Sequence, residues 1–388
     1  MLQGFLRTST LPSAHARGVL SVSSHGSLVL SSSYDGTLAL WRVDEHDQLR
    51  NVVTIDAGEG EGAVFSSSLS AFSDDKLLIC AGTYARRVHA WFCGNPMTSP
   101  SGASGADGDL TRIFTSFQHT GWVRAMTTAT VQPETTWPSR LYSVGCNRIL
   151  GWELPEIGSD GPVAATGELP ATEMALYEDE ACVRSKDILC LAHDDAHEHL
   201  ASGSVDGTIR CWVTSELSQL PELVERRPVR WMGHSGRVAS LTWRTDGALL
   251  SCGYDGYVRS WRAGGTGKAW VLDSEVDVGR SQAQSSSAAQ EASGRVLAVA
   301  TAPAGALSGL ALSGTSDGML VALGRDLDVV ASGNLLSSAD GATGATAAPL
   351  RATAIVAMSE RDEDEVARFV VGDSDGGLHV ARVGAGER

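Results

Sequence analysis

A 13-residue pattern that occurs twice in the middle of the chain constrains the fold more than any other feature of the sequence. Residues 200–212 read LASGSVDGTIRCW, and residues 249–261, which begin 49 positions later, read LLSCGYDGYVRSW. Each copy is an apolar segment, a turn marked by Asp-Gly and a second apolar segment that ends on Trp, which is the pattern of a β-hairpin. A repeat at this spacing predicts small sheets that stack on one another, since one such sheet cannot bury both of its faces alone.

Further copies of the hairpin fill the rest of the chain. They lie at residues 31–41, 79–91, 141–152, 313–323 and 371–381. Asp35 keeps the turn acid, whereas Ala85 and Asn147 replace it in two degenerate copies. A length of 388 residues alone would suit two or three domains, but a repeat is the stronger evidence. We therefore expect one domain, an all-β propeller with seven blades.

The ends of the chain complement each other. Blade 7 has no fourth strand after Arg382, whereas residues 3–8 precede blade 1 and have no hairpin of their own. We therefore predict that the N-terminal strand completes the last blade, which removes two exposed sheet edges. The blades are expected at about residues 9–56, 57–118, 119–179, 180–233, 234–274, 295–333 and 350–384, with residues 3–8 added to the last. The Gly/Ser/Ala-rich inserts 95–109, 155–172, 273–294 and 332–348 are expected to be loops.

Blade 5 resembles the WD40-repeat family in the residues of its hydrogen-bonded tetrad. His234, Ser251, Asp255 and Trp261 stand where that family places them, with Gly233 before the His. The resemblance implies that the Ser hydroxyl links the imidazole to the Trp N–H while the imidazole meets the turn carboxylate, so that each buried polar group has a partner. It implies the same set in blade 1, from His15, Ser31, Asp35 and Trp41. Blade 4 offers Ser202, Asp206 and Trp212 with Ser185 at the His position, and blade 3 offers His119 without the Asp.

The repeats also depart from the family. The residue after the Trp is never the Asp that gives the family its name; it is Arg42, Phe92, Glu153, Val213 or Arg262. The W-D-x-R ending by which some members dock on a ubiquitin-ligase adaptor is therefore missing. This departure weakens the reading of the chain as a substrate receptor of a ubiquitin ligase.

Aromatic and arginine residues occupy the positions that a WD40 propeller turns toward one rim of its channel. These positions are the residue before the turn Asp and the third residue after the repeat His, here Tyr34, Tyr84, Val205, Tyr254, Trp122 and Arg237. Such side chains are enriched where proteins bind one another. We predict a partner-binding rim at Tyr34, Tyr84, Trp122, Arg237 and Tyr254; the alternative is that each ring packs against a neighbouring blade.

The charge and the cysteines limit the class of partner and the compartment. A net charge of -16 argues against a phosphate backbone as a direct ligand, since proteins that bind one carry dense Lys/Arg patches. No apolar run approaches the roughly 18 residues of a membrane span. The 7 cysteines are scattered, which is typical of a reducing, cytoplasmic or nuclear, compartment. Arg7 and Arg17 among hydroxyl residues also suit a short organellar transit peptide, but strand-like sequence begins almost at once.

Catalytic and metal-binding motifs are weak. The G-x-S-x-G pattern occurs at Ser316 and Ser374, but a nucleophile elbow needs a strand-to-helix turn and both serines fall in hairpin turns. The His-rich segment 193–199 has metal-capable side chains but lies in a solvent-facing turn. The segment 264–268 lacks the Ser or Thr of a phosphate loop, and the acidic runs 178–180 and 362–365 are typical of solvated surfaces.

We therefore expect a non-catalytic scaffold, without cofactor or metal, that binds protein or peptide partners on its rim as a monomer within a hetero-complex, with neither nucleic acid nor membrane as a partner. Three alternatives stay open. One is the ubiquitin-ligase receptor, the second is a propeller-fold hydrolase with its site in the central channel, and the third is a binder of basic peptides or histone tails, which rests on net charge alone.

Overall fold

The structure is a computed structural model that covers most of the chain. It describes residues 5–58, 60–73, 76–96, 110–129, 139–154, 157–158, 161–162, 171–176, 187–214, 229–264, 269–279, 294–303, 307–335, 350–358 and 366–384. Within these ranges the strands form seven four-stranded antiparallel sheets and one two-stranded sheet. The expectation of an all-β, seven-bladed propeller is confirmed.

Each blade takes its strands in order from the channel outward. Blade 1 contains β2 (Val19–His25), β3 (Leu28–Ser33), β4 (Thr37–Val43) and β5 (Leu49–Asp56). Blade 2 contains β6 (Val64–Ser73), β7 (Lys76–Thr83), β8 (Val88–Gly94) and β9 (Thr111–Ser116). Blade 3 contains β10 (Val123–Ala129), β11 (Arg140–Gly145), β12 (Arg148–Glu153) and β15 (Ala171–Leu176), and a small ladder of β13 (Ile157–Gly158) and β14 (Gly161–Pro162) precedes β15.

The second half of the chain repeats this arrangement. Blade 4 contains β16 (Ile188–Asp194), β17 (His199–Ser204), β18 (Thr208–Val213) and β19 (Val229–Met232). Blade 5 contains β20 (Val238–Trp243), β21 (Leu249–Gly253), β22 (Tyr257–Ala263) and β23 (Trp270–Asp277). Blade 6 contains β24 (Val296–Thr301), β25 (Ala311–Thr315), β26 (Met319–Leu323) and β27 (Val329–Asn334), and blade 7 contains β28 (Ala352–Ala357), β29 (Val366–Asp373) and β30 (Leu378–Gly384).

The N-terminal strand closes the ring. Strand β1 (Phe5–Leu11) pairs antiparallel with β30, from Phe5 opposite Gly384 to Leu11 opposite Leu378. The last sheet has the order β1-β30-β29-β28, so β1 is the outermost strand of blade 7. The predicted closure is confirmed, with a paired segment that continues to Leu11.

The innermost strands share one register in all seven blades. The first residue of the strand pairs with the last residue before the hairpin turn, as Val19 does with Ser33 and Val238 with Gly253. A β-bulge follows directly in every case. A bulge sets one residue outside the regular alternation, so the second residue of each innermost strand occupies an equivalent position at the channel entrance.

The core lies between neighbouring blades, where the start of each innermost strand packs against the blade before it. Val238 is fully buried, and a Cβ on Gly203 of blade 4 would lie 2.5 Å from its Cγ1. Val19 has the same relation to Gly372 of blade 7, at 2.4 Å, across the closure of the ring. Glycine is therefore required at these two positions by close approach of the next blade, since interiors leave no room for an added methyl group.

Three of the expected loops are wrong in part. Residues 273–277 lie in β23 and residues 332–334 lie in β27, while the insert 155–172 contains β13, β14 and the first two residues of β15. Outermost strands of a blade have one solvated face, so polar Ser and Glu side chains do not prevent pairing. Most of the remaining insert residues lie outside the described residues. Within the described ranges, no helix has the length and apolar character to cross a membrane.

Candidate binding face

The predicted rim residues lie at one end of the strands because of the shared register. The N–H of Tyr34, the first residue of the hairpin turn of blade 1, donates to the carbonyl of Gly18, just before the innermost strand. Tyr254 makes the same bond to Arg237 in blade 5, and Val205 makes it to Asp187 in blade 4. The two kinds of rim position therefore meet at the same face of the ring, which we call the turn face.

Four aromatic side chains on blades 1 to 3 form a continuous cluster on the turn face, which we call the aromatic patch: Tyr34, Phe65, Tyr84 and Trp122. The Phe65 ring stacks on Trp122 at 5.5 Å and meets Tyr34 edge-on at 6.0 Å between centroids. Tyr34, Tyr84 and Trp122 are 47%, 50% and 40% exposed. The rings contact one another across blade boundaries and still present large apolar surface to solvent.

Phe65 was missing from the sequence prediction. It is the bulge residue of β6, placed between Val64 and Ser66 where the pairing shifts, so its ring leaves the sheet and joins the patch. Arg124 is the bulge residue of β10, and its guanidinium lies 5.5 Å from the Phe65 centroid and 4.9 Å from that of Trp122. Cations over aromatic faces are stabilised by the ring quadrupole, so Arg124 is held against the patch.

Tyr254 and Arg237 form a second group on the turn face, in blades 5 and 6. The Arg237 guanidinium lies 5.7 Å from the Tyr254 centroid, and that of Arg295 lies 5.0 Å from it. Within the described ranges, no ring contact joins Tyr254 to the aromatic patch. The five residues predicted for the rim are thus divided between two parts of one face, with Tyr34, Tyr84 and Trp122 in the patch.

The tetrad of blade 5 is complete in geometry. His234 lies with Nε2 2.7 Å from the Ser251 hydroxyl and with Nδ1 2.8 Å from Oδ1 of Asp255, and Trp261 donates its N–H to the same hydroxyl at 2.8 Å. Burial disfavours a charge on Asp255, but His234 and Arg259 outweigh this effect and hold the pKa of the Asp255 carboxyl well below its ordinary value. Burial also lowers the pKa of His234. The tetrad fixes the turn that carries Tyr254.

Blade 1 builds a related tetrad with an added hydroxyl. His15 and Trp41 both bond to the Ser31 hydroxyl, at 2.7 and 2.8 Å. On the other side of the imidazole, Thr37 lies 3.0 Å from Nδ1 and donates to Asp35 at 2.6 Å. The carboxylate is therefore reached through Thr37 as well as by the longer 3.4 Å approach of His15.

Blades 3 and 4 hold partial sets. In blade 3, His119 and Trp152 share the Ser143 hydroxyl at 2.8 and 2.7 Å, and no carboxylate follows. Burial lowers the pKa of His119 to about 4, and Arg148 adds to this shift. In blade 4, Ser202 and Trp212 are buried and Asp206 accepts from the backbone and hydroxyl of Thr208, while position 185 lies outside the described residues.

Two further carboxylate and histidine pairs were not found from the sequence. In blade 2, the buried Glu61 contacts Thr83 at 2.9 Å, His89 at 3.2 Å and the guanidinium of Arg87. Glu61 stands three residues before its innermost strand, whereas His15, His119 and His234 stand four residues before theirs, so a search of the His position alone would have missed it. In blade 7, the buried pair is Asp373 and His379, at 2.7 Å, and the turn residue Asp375 is exposed.

The channel is small and lined mainly by hydroxyl and aliphatic groups. It encloses about 370 Å³, and its lining includes the bulge residues of the innermost strands together with Ser21, Ser66 and Ser240. Arg124 supplies a positive charge, and no His, Asp or Glu is among the lining residues that the structure describes. This part of the channel offers no nucleophile and base pair for hydrolysis.

The two G-x-S-x-G serines hold strand ends in place. Ser316 and Ser374 lie in hairpin turns, and each hydroxyl accepts the backbone N–H just before the innermost strand of its own blade, from Arg295 and Arg351. In the segment 193–199, two histidines bond to neighbouring aspartates. Among the described residues, no group of three or more His, Cys, Asp and Glu side chains could hold a metal ion.

Comparison with known proteins agrees with the architecture. A family model described as "WD domain, G-beta repeat" matches residues 6–42, and one described as "IP5P C-F beta-propeller" matches residues 160–322. The chain is similar to type I inositol polyphosphate 5-phosphatase 13 of Arabidopsis thaliana, with 27% identity over 119 residues. That segment is 30% of this chain and 10% of the relative, so the chain spans about a tenth of the relative's length.

Proposed function

We propose that this chain, a seven-bladed propeller of the WD40-repeat family, is a non-catalytic scaffold that binds a protein or peptide partner on its turn face, with the aromatic patch as the anchor site. Propellers of this kind are generally protein-interaction domains, and their rigid rings present loops and turns to a partner. The finer assignment to the patch rests on one observation, the solvent exposure of contacting aromatic rings.

That exposure carries the proposal because large apolar side chains normally avoid water when they cluster. Single exposed apolar residues are ordinary, whereas contiguous patches mark interaction sites. Tyr84 and Trp122 also hold each other in place, at 4.9 Å between centroids. Tyr and Trp side chains have few rotatable bonds to immobilise, and they often dominate the binding energy at interfaces. A pair that is already held in place therefore favours the binding of a partner.

Other features support a binding role over the alternatives. The described channel lining lacks a His and carboxylate pair, which a hydrolase would need. The relative's name describes a phosphatase, but only a tenth of that protein is matched. No Trp of the chain begins a W-D-x-R ending, and this absence disfavours the role of a ubiquitin-ligase receptor. None of the six described cysteines forms a disulfide, and five are buried, which supports a reducing cytoplasmic or nuclear location.

The test is quantitative affinity purification with a Tyr84→Ala/Trp122→Ala variant. We expect at least one protein partner of the unmodified chain to be lost with this variant. The matched control is Val271→Ser/Leu272→Ser, which removes two exposed apolar residues from the outermost strand of blade 5, where Val271 and Leu272 are 56% and 42% exposed. The control should retain every partner.

Circular dichroism and thermal unfolding of both variants show that each is folded. If both folded variants keep the same set of partners as the unmodified chain, the patch is not the binding site. If the chain hydrolyses a phosphate or peptide ester at a rate above the uncatalysed background, the non-catalytic assignment is wrong.

A further inference from the structure

Arginine occupies equivalent positions in three consecutive blades of the turn face. Arg237, Arg295 and Arg351 each stand directly before the innermost strand of blades 5, 6 and 7. Arg17 lies one residue earlier at the same site of blade 1, and its guanidinium lies 5.9 Å from the Tyr34 centroid. These four exposed side chains, which we call the arginine arc, run around the face and meet the aromatic patch at Tyr34. In blade 4 the equivalent residue is Asp187, where the arc ends.

The arc is unneutralised, in contrast to a group of arginines at the opposite end of the strands. Within the part of the chain that the structure describes, none of the four arc guanidiniums forms an ion pair. Away from this face, Arg244, Arg262 and Arg325 all bond to Asp246. In a chain with 46 acidic and 30 basic side chains, such pairing is the expected outcome, so four arc guanidiniums without an acidic partner give this part of the turn face an uncompensated positive charge.

The carboxylates in the hairpin turns of blades 1, 5, 6 and 7 have hydrogen-bond partners outside the arc. Asp255 bonds to His234 and Arg259, and Asp35 accepts from Thr37 and from a backbone N–H. Asp317 accepts from the hydroxyl of its own turn, and the exposed Asp375 is approached by Ser374. Three of the guanidiniums lie over aromatic rings instead, Arg17 over Tyr34 and both Arg237 and Arg295 over Tyr254.

We propose that the partner of the turn face is an acidic linear segment that carries an aromatic residue, with its carboxylates along the arginine arc and its ring on the aromatic patch. Guanidinium groups bind carboxylates through paired N–H donors, and stacked guanidiniums are preorganised for this contact. This inference rests on the proposed function, since it names the class of partner for the same face.

Net charge favours a short acidic segment over a nucleic acid. Charges interact over a Debye length of about 8 Å at physiological salt. A short segment that stays on the arc contacts four arginines, whereas a long polyanion extends over the rest of a chain whose net charge is -16. The net negative charge of the rest of the chain therefore repels an extended phosphate backbone.

The test selects peptides from a phage-displayed library of random 12-residue sequences against the full chain and measures the affinity of enriched peptides by fluorescence polarisation. We expect enriched peptides to be negatively charged and to contain an aromatic residue. The variant Arg237→Gln/Arg295→Gln/Arg351→Gln should bind these peptides with an affinity on the order of tenfold lower, since exposed ion pairs contribute modestly and these three act together. Added NaCl should also lower the affinity of the unmodified chain for the peptides.

The control is Arg42→Gln/Arg50→Gln/Arg325→Gln, which changes the net charge equally with three exposed arginines at the opposite end of the strands; it should leave affinity unchanged. The inference would be overturned if the enriched peptides were neutral or basic, or if the arc variant bound them as tightly as the unmodified chain does. It would also be overturned if a 20-nucleotide single-stranded DNA bound more tightly than the peptides. Uncharged peptides that are lost with Tyr84→Ala/Trp122→Ala would overturn it while the proposed function stands. If no enriched peptide depends on either surface, both fail.

Discussion

The ring of Tyr84 lies 4.9 Å from the indole of Trp122, centroid to centroid, with 30° between the two planes. Tyr84 is the first residue of the hairpin turn of blade 2, and Trp122 precedes the innermost strand of blade 3. The contact therefore crosses a blade boundary on the turn face. The packing of neighbouring blades and the shape of the exposed aromatic patch are determined by the same side chains, so changes in one are expected to affect the other.

Ser251→Ala should destabilise the protein strongly. Its hydroxyl accepts the Trp261 N–H and bonds to His234, so the substitution leaves two buried polar groups without partners. Each such group costs about 1–3 kcal/mol. The control is Ser313→Ala at the same position of blade 6, where the hydroxyl donates only to the carbonyl of Val321. Urea unfolding should show a clearly larger loss for Ser251→Ala; equal losses would show that the tetrad is not a stabilising unit.

His119 should make stability fall in mild acid. Burial lowers its pKa to about 4 in the folded state, while the unfolded chain takes up a proton near pH 6.5. Stability from this group is therefore complete above pH 6.5 and is lost as pH falls toward 4. Between pH 7 and 4.5 the loss is about 2–3 kcal/mol by proton linkage. His119→Gln should reduce the pH dependence of the unfolding free energy by that amount, and an unchanged slope would contradict a neutral buried imidazole.

Gly376→Ala should weaken the junction between blades 7 and 1. Gly376 has φ of 97°, and an added Cβ would lie 2.4 Å from the carbonyl oxygen of His15, whose N–H bonds to Gly376. Gly26→Ala is the control, because Gly26 also has positive φ, 58°, but open space around it. The control should cost about 1 kcal/mol from backbone strain alone. Thermal unfolding should show a larger shift for Gly376→Ala, and equal shifts would refute close packing at this junction.

Deletion of residues 1–11 should expose β30 as an unpaired edge and promote self-association. The outer edge of β30 is hydrogen-bonded to β1, from Gly384 opposite Phe5 to Leu378 opposite Leu11. Strand edges without a partner template pairing with other chains. Light scattering after size-exclusion chromatography should detect oligomers. Deletion of residues 385–388, which follow the last residue of β30, is the control and should leave the protein monomeric. A monomeric, equally stable 1–11 deletion would contradict closure by β1.

The repeat was sufficient to predict the architecture because its signals are local. An Asp-Gly turn between apolar segments predicts a hairpin at residues 206–207 and again at 255–256, and a shared spacing predicts stacking. The closure followed from a missing strand at one end and a spare one at the other. The patch was predicted only in part, since Phe65 reaches it through a β-bulge. A bulge changes the face of the sheet on which a residue lies, and no particular residue type in the sequence indicates where it occurs.

The degenerate blades show a second limit. In blade 7 the turn position holds the exposed Asp375, whereas the buried carboxylate that meets an imidazole is Asp373, against His379. In blade 2, Glu61 and His89 exchange the usual order of acid and imidazole along the chain. Such pairs satisfy the same need of a buried carboxylate for donors, but from positions that a single repeat pattern does not cover. Which acid and which histidine pair in these blades depends on the geometry of the whole sheet.

The most direct test of partner binding at the aromatic patch is site-specific photo-crosslinking in cells. A photoreactive phenylalanine analogue replaces Tyr84, and in a parallel variant it replaces Val271 on the outermost strand of blade 5. We predict that position 84 captures a protein in a discrete adduct identified by mass spectrometry, and that position 271 does not. Adducts in equal yield from both positions, or from position 271 alone, would contradict a partner seated on the patch.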